Sequence, residues 1–317
     1  MITAALTRRH RPAWDEHNRV SLGAMFGPAR HGAADPCSRR IGETIWRGLN
    51  SAAGPVTLKF QRMSDGIEAT AWGPGAAWAI DHLPAMMADG DDASGFDVHE
   101  FAEQVWHPRL RERAVSLHRS WRPAAISPLV DHLVASVLEQ RVTGIEAHRA
   151  WRYLALNFGS AAPGPAADVP AGLRVPPAPE MWQQIPSWHW HRAGVDAARA
   201  DTVMRAVARL HHGEPASASA VHVNALASVK GIGVWTLALI RQSVLGDADA
   251  VQFGDFHTCH DVVHALTGDH RADDERMAQV LQPWFGHRYR VVRLVELAGI
   301  SAPRRGPRLA PVDHRRW

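Results

Sequence analysis

The sequence predicts a mostly α-helical protein with a small α+β domain at its N-terminal end. Alternation of apolar and polar side chains is confined to the stretch before Trp72, whereas helical periodicity dominates from about Val98 to residue 300. A length of 317 residues exceeds what one small core needs and suits two or three domains. We read 15–95 as the α+β domain, 96–300 as the helical domain with a hairpin at 225–245, and 301–317 as an Arg/Pro-rich tail.

The first 15 or so residues read as loose. From about Val20 to Trp72 the signals are strands and turns. Val56-Thr57-Leu58-Lys59-Phe60 alternates, Ser64-Asp65-Gly66 is turn chemistry, and residues 67–72 alternate again, which predicts a β-hairpin with one buried face. Residues 76–87 look helical. Ser127-Pro128 reads as a helix start, with serine as the cap and proline in the first turn. Leu129, Leu133 and Val137 with Val130, Val134 and Leu138 then make a wide apolar stripe. A second helix carries Ala147, Trp151, Leu154 and Phe158 and ends at Gly159. Residues 160–179, rich in Ala, Pro and Gly, read as a long surface loop, and a further helix covers about 197–210.

Composition narrows the class. Hydrophobic residues are 46% and charged residues 21%, the balance of a globular protein. No apolar run approaches the roughly 20 residues a membrane helix needs. Residues 1–11 are basic without the apolar core of a signal peptide. We therefore expect a cytoplasmic protein, and we take it to be a monomer. Cys37 and Cys259 are too few for a four-cysteine iron–sulfur cluster or a disulfide framework. Net charge is only +3, but the cations are nearly all arginine, the only lysines being Lys59 and Lys230. Arginine suits phosphate; a high-arginine codon bias gives the same composition, so composition alone does not establish DNA binding.

The informative stretch is residues 225–236. A helix must stop near Val229, Gly231-Ile232-Gly233 makes a tight turn in which either glycine can take positive φ, and a new helix follows with Trp235, Leu239, Ile240 and Val244, closed by Gly246. Such a turn presents backbone N–H groups able to hold a phosphate without reading sequence. On these residues alone an ordinary helix–helix connection is the simpler reading.

Val229-Lys230-Gly231-Ile232-Gly233-Val234-Trp235-Thr236 nevertheless resembles the hairpin of the helix-hairpin-helix DNA glycosylase superfamily, which ends in a Gly/Pro-rich loop and an aspartate. Residues 246–254 match that loop and Asp255, twenty residues after Trp235, that aspartate. Asp255-Phe256-His257 resembles the Asp-x-His form of several branches. Residues 137–143 are similar to the helix-end motif that probes the gap left by a flipped nucleotide. The resemblance spans about 127 to 297, and the N-terminal α+β region matches the extra domain of the DNA-3-methyladenine glycosylase II branch. It implies a two-lobed helical core and damaged double-stranded DNA as partner, with Gly231, Gly233, Val234, Thr236, Gln140 and Arg141 as the DNA-binding residues.

Read alone, Asp255 is an N-cap for the helical pattern Thr258, Val262, Val263 and Leu266. The resemblance makes it the catalytic carboxylate as well. A helix N-terminus favours its ionised form, and that form opposes the positive charge that grows on the sugar as the base departs. Superfamily enzymes that also cut the strand carry a lysine where Trp235 stands, to form a Schiff base. The resemblance therefore implies release of the base without strand cutting. It places Trp235, Phe256, His257 and Trp284 at the substrate pocket, where aromatic faces attract cationic alkylated purines. Core packing is the competing reading of each ring. Arg141 departs from the apolar wedge usual in the branch, and Phe256 and His257 from its usual residues. Arg288 and Arg290 read as a solvated face, with phosphate contact the alternative.

His257, Cys259, His260 and His264 invite a zinc reading, but they do not obviously converge. A monovalent cation on the hairpin's backbone carbonyls is implied by some relatives; no other cofactor is expected. The alternatives to alkylated purines are deaminated or oxidised bases, or a non-catalytic DNA-binding module, which has no need of Asp255.

Overall fold

The computed structural model describes residues 5–211 and 219–303. Five antiparallel strands form the N-terminal sheet: β1 (Leu6–His10), β2 (Ser38–Ile41), β3 (Thr44–Ser51), β4 (Gly54–Met63) and β5 (Gly66–Trp72), in spatial order β1-β5-β4-β3-β2. The expected hairpin is β4–β5; its alternating residues Val56, Leu58, Phe60, Ile67, Ala69 and Ala71 are all buried. From Leu6 the N-terminal stretch is ordered rather than loose, and residues 1–4 lie outside the described residues. Leu6–His10 pairs with residues 67–71 as an edge strand whose side chains are mostly exposed, so its order comes from backbone bonds that alternation does not reveal. Residues 22–26, expected among strands, instead form the short helix α1 (Leu22–Phe26), capped by Ser21 and packed through Phe26 on Phe60.

The helical stretch at 76–87 is two short helices, α2 (Ala76–Asp81) and α3 (Leu83–Met86). Then come α4 (Val98–Gln104), α5 (Pro108–His118), α6 (Leu129–Leu138) and α7 (Gly144–Phe158), which opens on a Thr143/Glu146 capping box. Ser127 does not cap α6. Pro128 takes the cap position, and the Ser127 hydroxyl accepts instead from the buried Arg47 guanidinium at 3.3 Å. The loop at 160–179 contains a two-stranded ribbon, β6 (Ser160–Ala161) and β7 (Arg174–Val175). Its Val169 and Leu173 are buried against Trp46 and Trp72 of the sheet, not displayed on the surface.

The chain continues through α8 (Pro179–Gln184), α9 (Ser187–Ala193), α10 (Ala197–His211), α11 (Ala220–Ala225), α12 (Val234–Ile240), α13 (Thr258–Thr267), α14 (Asp274–Leu281) and α15 (Arg288–Ala298). Buried apolar residues gather in two large clusters. One joins the sheet to α4, α5 and α13–α15; the other lies within α6–α12. These are the two lobes, and the boundary read near residue 95 separates elements that share the first cluster. The tail beyond residue 303 lies outside the described residues. No helix among the described residues is long and apolar enough to cross a membrane.

Buried ion pairs and polar groups tie the elements together. Arg290, fully buried, grips Asp91 through two bonds of 2.6 and 3.0 Å, with Arg122 3.4 Å from the same carboxylate. Asp131 of α6 accepts from the Asn50 amide at 3.1 Å, and burial pushes its carboxyl up to about 6. Two buried histidines are held neutral. Burial, then Arg122, lowers His118 to about 2; burial, then His31, lowers His132 to about 4. An unfolded histidine takes up its proton near pH 6.5, whereas these do so only far below it. Stability therefore falls as pH drops from 6.5 toward 4, by up to about 1 kcal/mol per pH unit for each histidine. Asp131, with its raised value, acts in the opposite sense between about 4 and 6 but is one group against two. A melting-temperature profile should show this fall and a shallower one in His118→Asn; equal slopes would assign the acid sensitivity elsewhere.

Candidate active site

The hairpin forms as its sequence suggests. Helix α11 tightens into a 3-10 turn at Leu226–Ser228, Val229 ends it, and Gly233 opens α12 in extended conformation. The glycine that needs positive φ is Gly231, at +100°, where a Cβ would also collide with the Thr202 hydroxyl of α10. Ile232 plugs into the second core while Gly231, Gly233 and Val234 are exposed, which leaves peptide edges open to a ligand. Thr236 does not face outward. It is 2% exposed and bound to Gln140. Hairpin carbonyls already accept internal bonds: Val229 from the Ile232 amide, Lys230 from Arg205 and Gly231 from Gln140. A monovalent cation there would have to use their remaining lone pairs or displace those donors.

Arg141 follows Gln140 at the end of α6. It is exposed and takes φ +56°, a left-handed conformation costly for any residue with a Cβ. Replacing it by glycine should relieve that cost, leaving the melting temperature level or raised by the equivalent of about 1 kcal/mol, while weakening any insertion into DNA. Thermal melting alongside base release checks this; a lowered melting temperature with full activity would show an ordinary surface turn.

After α12 the chain makes a π-helical turn, Arg241–Leu245, and enters the loop at 246–254. That loop is tied down along its length. Asp247 pairs with Arg241 at 2.7 Å. Asp249 accepts from the Gly286 and Arg288 amides and from both sides of the Arg288 guanidinium, at 2.6 to 3.1 Å. Burial raises the Asp249 carboxyl, but the Arg288 bonds outweigh it and hold it below the usual carboxylate range. Gln242 bonds the Ala250 carbonyl and Gln252, and Asp274 accepts from the Gly254 amide at 2.7 Å. Arg288 and Arg290 are thus not a solvated face: one anchors this loop, the other is the buried partner of Asp91.

Asp255 follows Gly254, whose φ of +91° turns the chain. Its Oδ1 accepts from the His257 amide (2.9 Å), the Thr258 amide (2.9 Å) and the Thr258 hydroxyl (3.0 Å). The side chain thus holds the amino end of α13 from two residues ahead of the position that flanks the helix, which His257 occupies. The other oxygen, Oδ2, accepts from the Trp235 indole N–H at 3.3 Å. Hairpin helix and carboxylate therefore meet directly, twenty residues apart in sequence.

The other pocket candidates differ in exposure and in neighbours. Phe256 is 78% exposed, with its ring near His257 and His260; His257 is exposed too. Trp284 is partly buried and packs edge-on against Phe101, 5.3 Å between ring centres, at the margin of the first core. The histidines diverge: His260 lies 3.1 Å from the Cys259 sulfur and His264 3.3 Å from His270. Among the described residues no three His, Cys, Asp or Glu side chains gather as metal ligands. Motif reading missed Asp249, Gln252 and Asp274, which hold the 246–254 loop; the first two stand inside it, whereas Asp274 lies twenty residues beyond Gly254 and gives no local signal.

No protein-family model matches the sequence, and no curated protein does. Solved structures do. The 3-methyladenine DNA-glycosylase of Archaeoglobus fulgidus aligns at TM-score 0.66 and 13% identity, over 93% of this chain and 98% of its own. The 8-oxoguanine glycosylase/lyase of Clostridium acetobutylicum in its apo-form aligns at 0.62 and 10%, over 93% and 98%. The same enzyme in complex with double-stranded DNA containing cytosine opposite 8-oxoG aligns at 0.61 and 10%, over 94% and 98%. At such identities the likeness is one of fold. The chain has the fold of the helix-hairpin-helix DNA glycosylases, a mostly helical, two-lobed core with an N-terminal antiparallel sheet.

Proposed function

We propose that the chain is a monofunctional DNA glycosylase of the DNA-3-methyladenine glycosylase II type, which hydrolyses the N-glycosidic bond of alkylated purines flipped out of duplex DNA and leaves an abasic site. The observation that carries this is the Trp235–Asp255 contact, which joins a phosphate-binding hairpin to a carboxylate in a fold shared with DNA glycosylases. The bond from C1′ to the base nitrogen breaks with its electron pair leaving on the base. The cationic base thereby leaves neutral, and water adds its oxygen to C1′ and gives up one proton to solvent. The Asp255 carboxylate, at the amino end of α13, offsets the positive charge on the sugar while this happens. Oδ1 is saturated by three bonds, so Oδ2 is the oxygen with capacity left for sugar or water.

The indole of Trp235 beside a carboxylate favours a flat cationic base over a neutral one. Neither lysine of the chain stands on α12: Lys59 sits over the Trp46 ring on the sheet, and Lys230 precedes Gly231. A Schiff base from the position of Trp235 is therefore not open to it, and the reaction needs no cofactor.

The test uses duplexes each carrying one lesion: a methylated purine, hypoxanthine or 8-oxoguanine. Cutting of the methylated duplex only after alkali supports the proposal. Action on hypoxanthine or 8-oxoguanine alone moves the substrate to deaminated or oxidised bases. Strand cutting without alkali contradicts the monofunctional assignment.

A further inference from the structure

The Gln140 amide spends both of its hydrogens inside the protein. Nε2 donates to the Gly231 carbonyl at 2.9 Å and to the Thr236 hydroxyl at 2.8 Å, spanning 91 and 96 residues of sequence. Both acceptors belong to the hairpin: Gly231 is its positive-φ turn, and Thr236 is buried in the first turn of α12. Gln140 itself immediately precedes Arg141. On the other side of Arg141, Thr143 and Glu146 fix the start of α7 by their reciprocal bonds. Arg141 thus sits between two anchored points, in a left-handed conformation that its neighbours must impose.

Helix α10 braces the same pair of elements. Arg199 donates to the Leu138 carbonyl at 3.0 Å, Arg205 to the Lys230 carbonyl at 3.2 Å, and Thr202 lies against Gly231. The hairpin and the Arg141 turn therefore share a common backing as well as a direct bond.

We infer that Gln140 is a positioning residue and not a DNA contact: its amide fastens the Arg141 turn to the hairpin, so that grip on the sugar–phosphate backbone and intrusion into the base stack act as one body. This rests on the glycosylase reading above. A rigid link matters because a wedge that can recede when the stack pushes back does not hold a base outside the helix. Loss of the link lets the hairpin bind while the wedge yields.

The experiment compares wild type, Gln140→Glu, Thr236→Val and the double variant. Glutamate keeps the shape of glutamine but, when ionised, cannot donate to either acceptor. Each protein is given undamaged duplex for affinity, duplex with 2-aminopurine beside a lesion for extrusion by fluorescence, and methylated duplex for single-turnover base release. We expect Gln140→Glu to bind undamaged duplex within about threefold of wild type, but to extrude and release base roughly tenfold less well. Thr236→Val should reproduce part of that loss, and the double variant should be no worse than Gln140→Glu, because both remove one link. Extrusion at the wild-type level in Gln140→Glu overturns the inference. Affinity and extrusion lost in equal proportion also overturn it, since that marks Gln140 as a direct DNA contact. A melting temperature lowered with no separation of binding from extrusion reduces it to a structural residue. If wild type itself neither extrudes nor releases any base, the glycosylase reading fails first and this inference with it.

Discussion

Asp255→Asn should fold as the wild type does and release base about a thousandfold more slowly. The two halves of that expectation come from the two oxygens. Oδ1 holds the His257 and Thr258 amides at 2.9 Å, and asparagine caps a helix as well as aspartate does, so the start of α13 survives. What is lost is the negative charge. The remaining NH2 group also faces the Trp235 indole N–H, donor against donor, where Oδ2 had accepted at 3.3 Å. Single-turnover release together with a melting curve separates the two effects. An asparagine variant with full activity would reduce Asp255 to a helix cap. One that melts far below wild type would make its charge a structural need.

Asp91→Ala should cost about 3–5 kcal/mol of stability, a fall in melting temperature of roughly 10 °C. Arg290 is 0% exposed and its guanidinium spends two short bonds on Asp91. Removing the carboxylate leaves that charge buried without its partner and takes the neutralising group from Arg122, which burial and then Arg290 already push down to about 10. Replacing Asp91 and Arg290 together by apolar residues should cost much less than Asp91→Ala alone, because it is the unpaired charge that is expensive. Chemical denaturation measures both. Equal destabilisation by single and double variants would mean that packing, not charge, is what the pair supplies.

What the sequence revealed and what it concealed divide along physical lines. The β4–β5 hairpin was legible because one face is buried and the period of two is written in Val56, Leu58 and Phe60. Strand β1 was not, because an edge strand with exposed arginines is held by backbone bonds to β5. The hairpin turn was legible from two glycines, although only the close approach of Thr202 shows that Gly231 has no room for a side chain. Trp235 and Asp255 were each picked out by spacing plus resemblance, but their contact shows only in the folded chain. Arg290 was misread for the converse reason: its partner lies 199 residues away, and nothing local separates a buried arginine from a solvated one. Gln140 was picked out as a residue but not for its bonds, which reach two acceptors more than 90 positions downstream. The edge-on contact of Trp284 with Phe101 was not legible either, because the two rings stand far apart in the sequence.

The most direct measurement is chromatographic detection of free base released by the wild-type protein from duplex DNA treated with a methylating agent. The glycosylase reading requires free methylated purine to accumulate with time, with the strand intact until alkali is added. Binding to that DNA with no free base of any kind would leave a hairpin protein without the chemistry that Asp255 is held to perform.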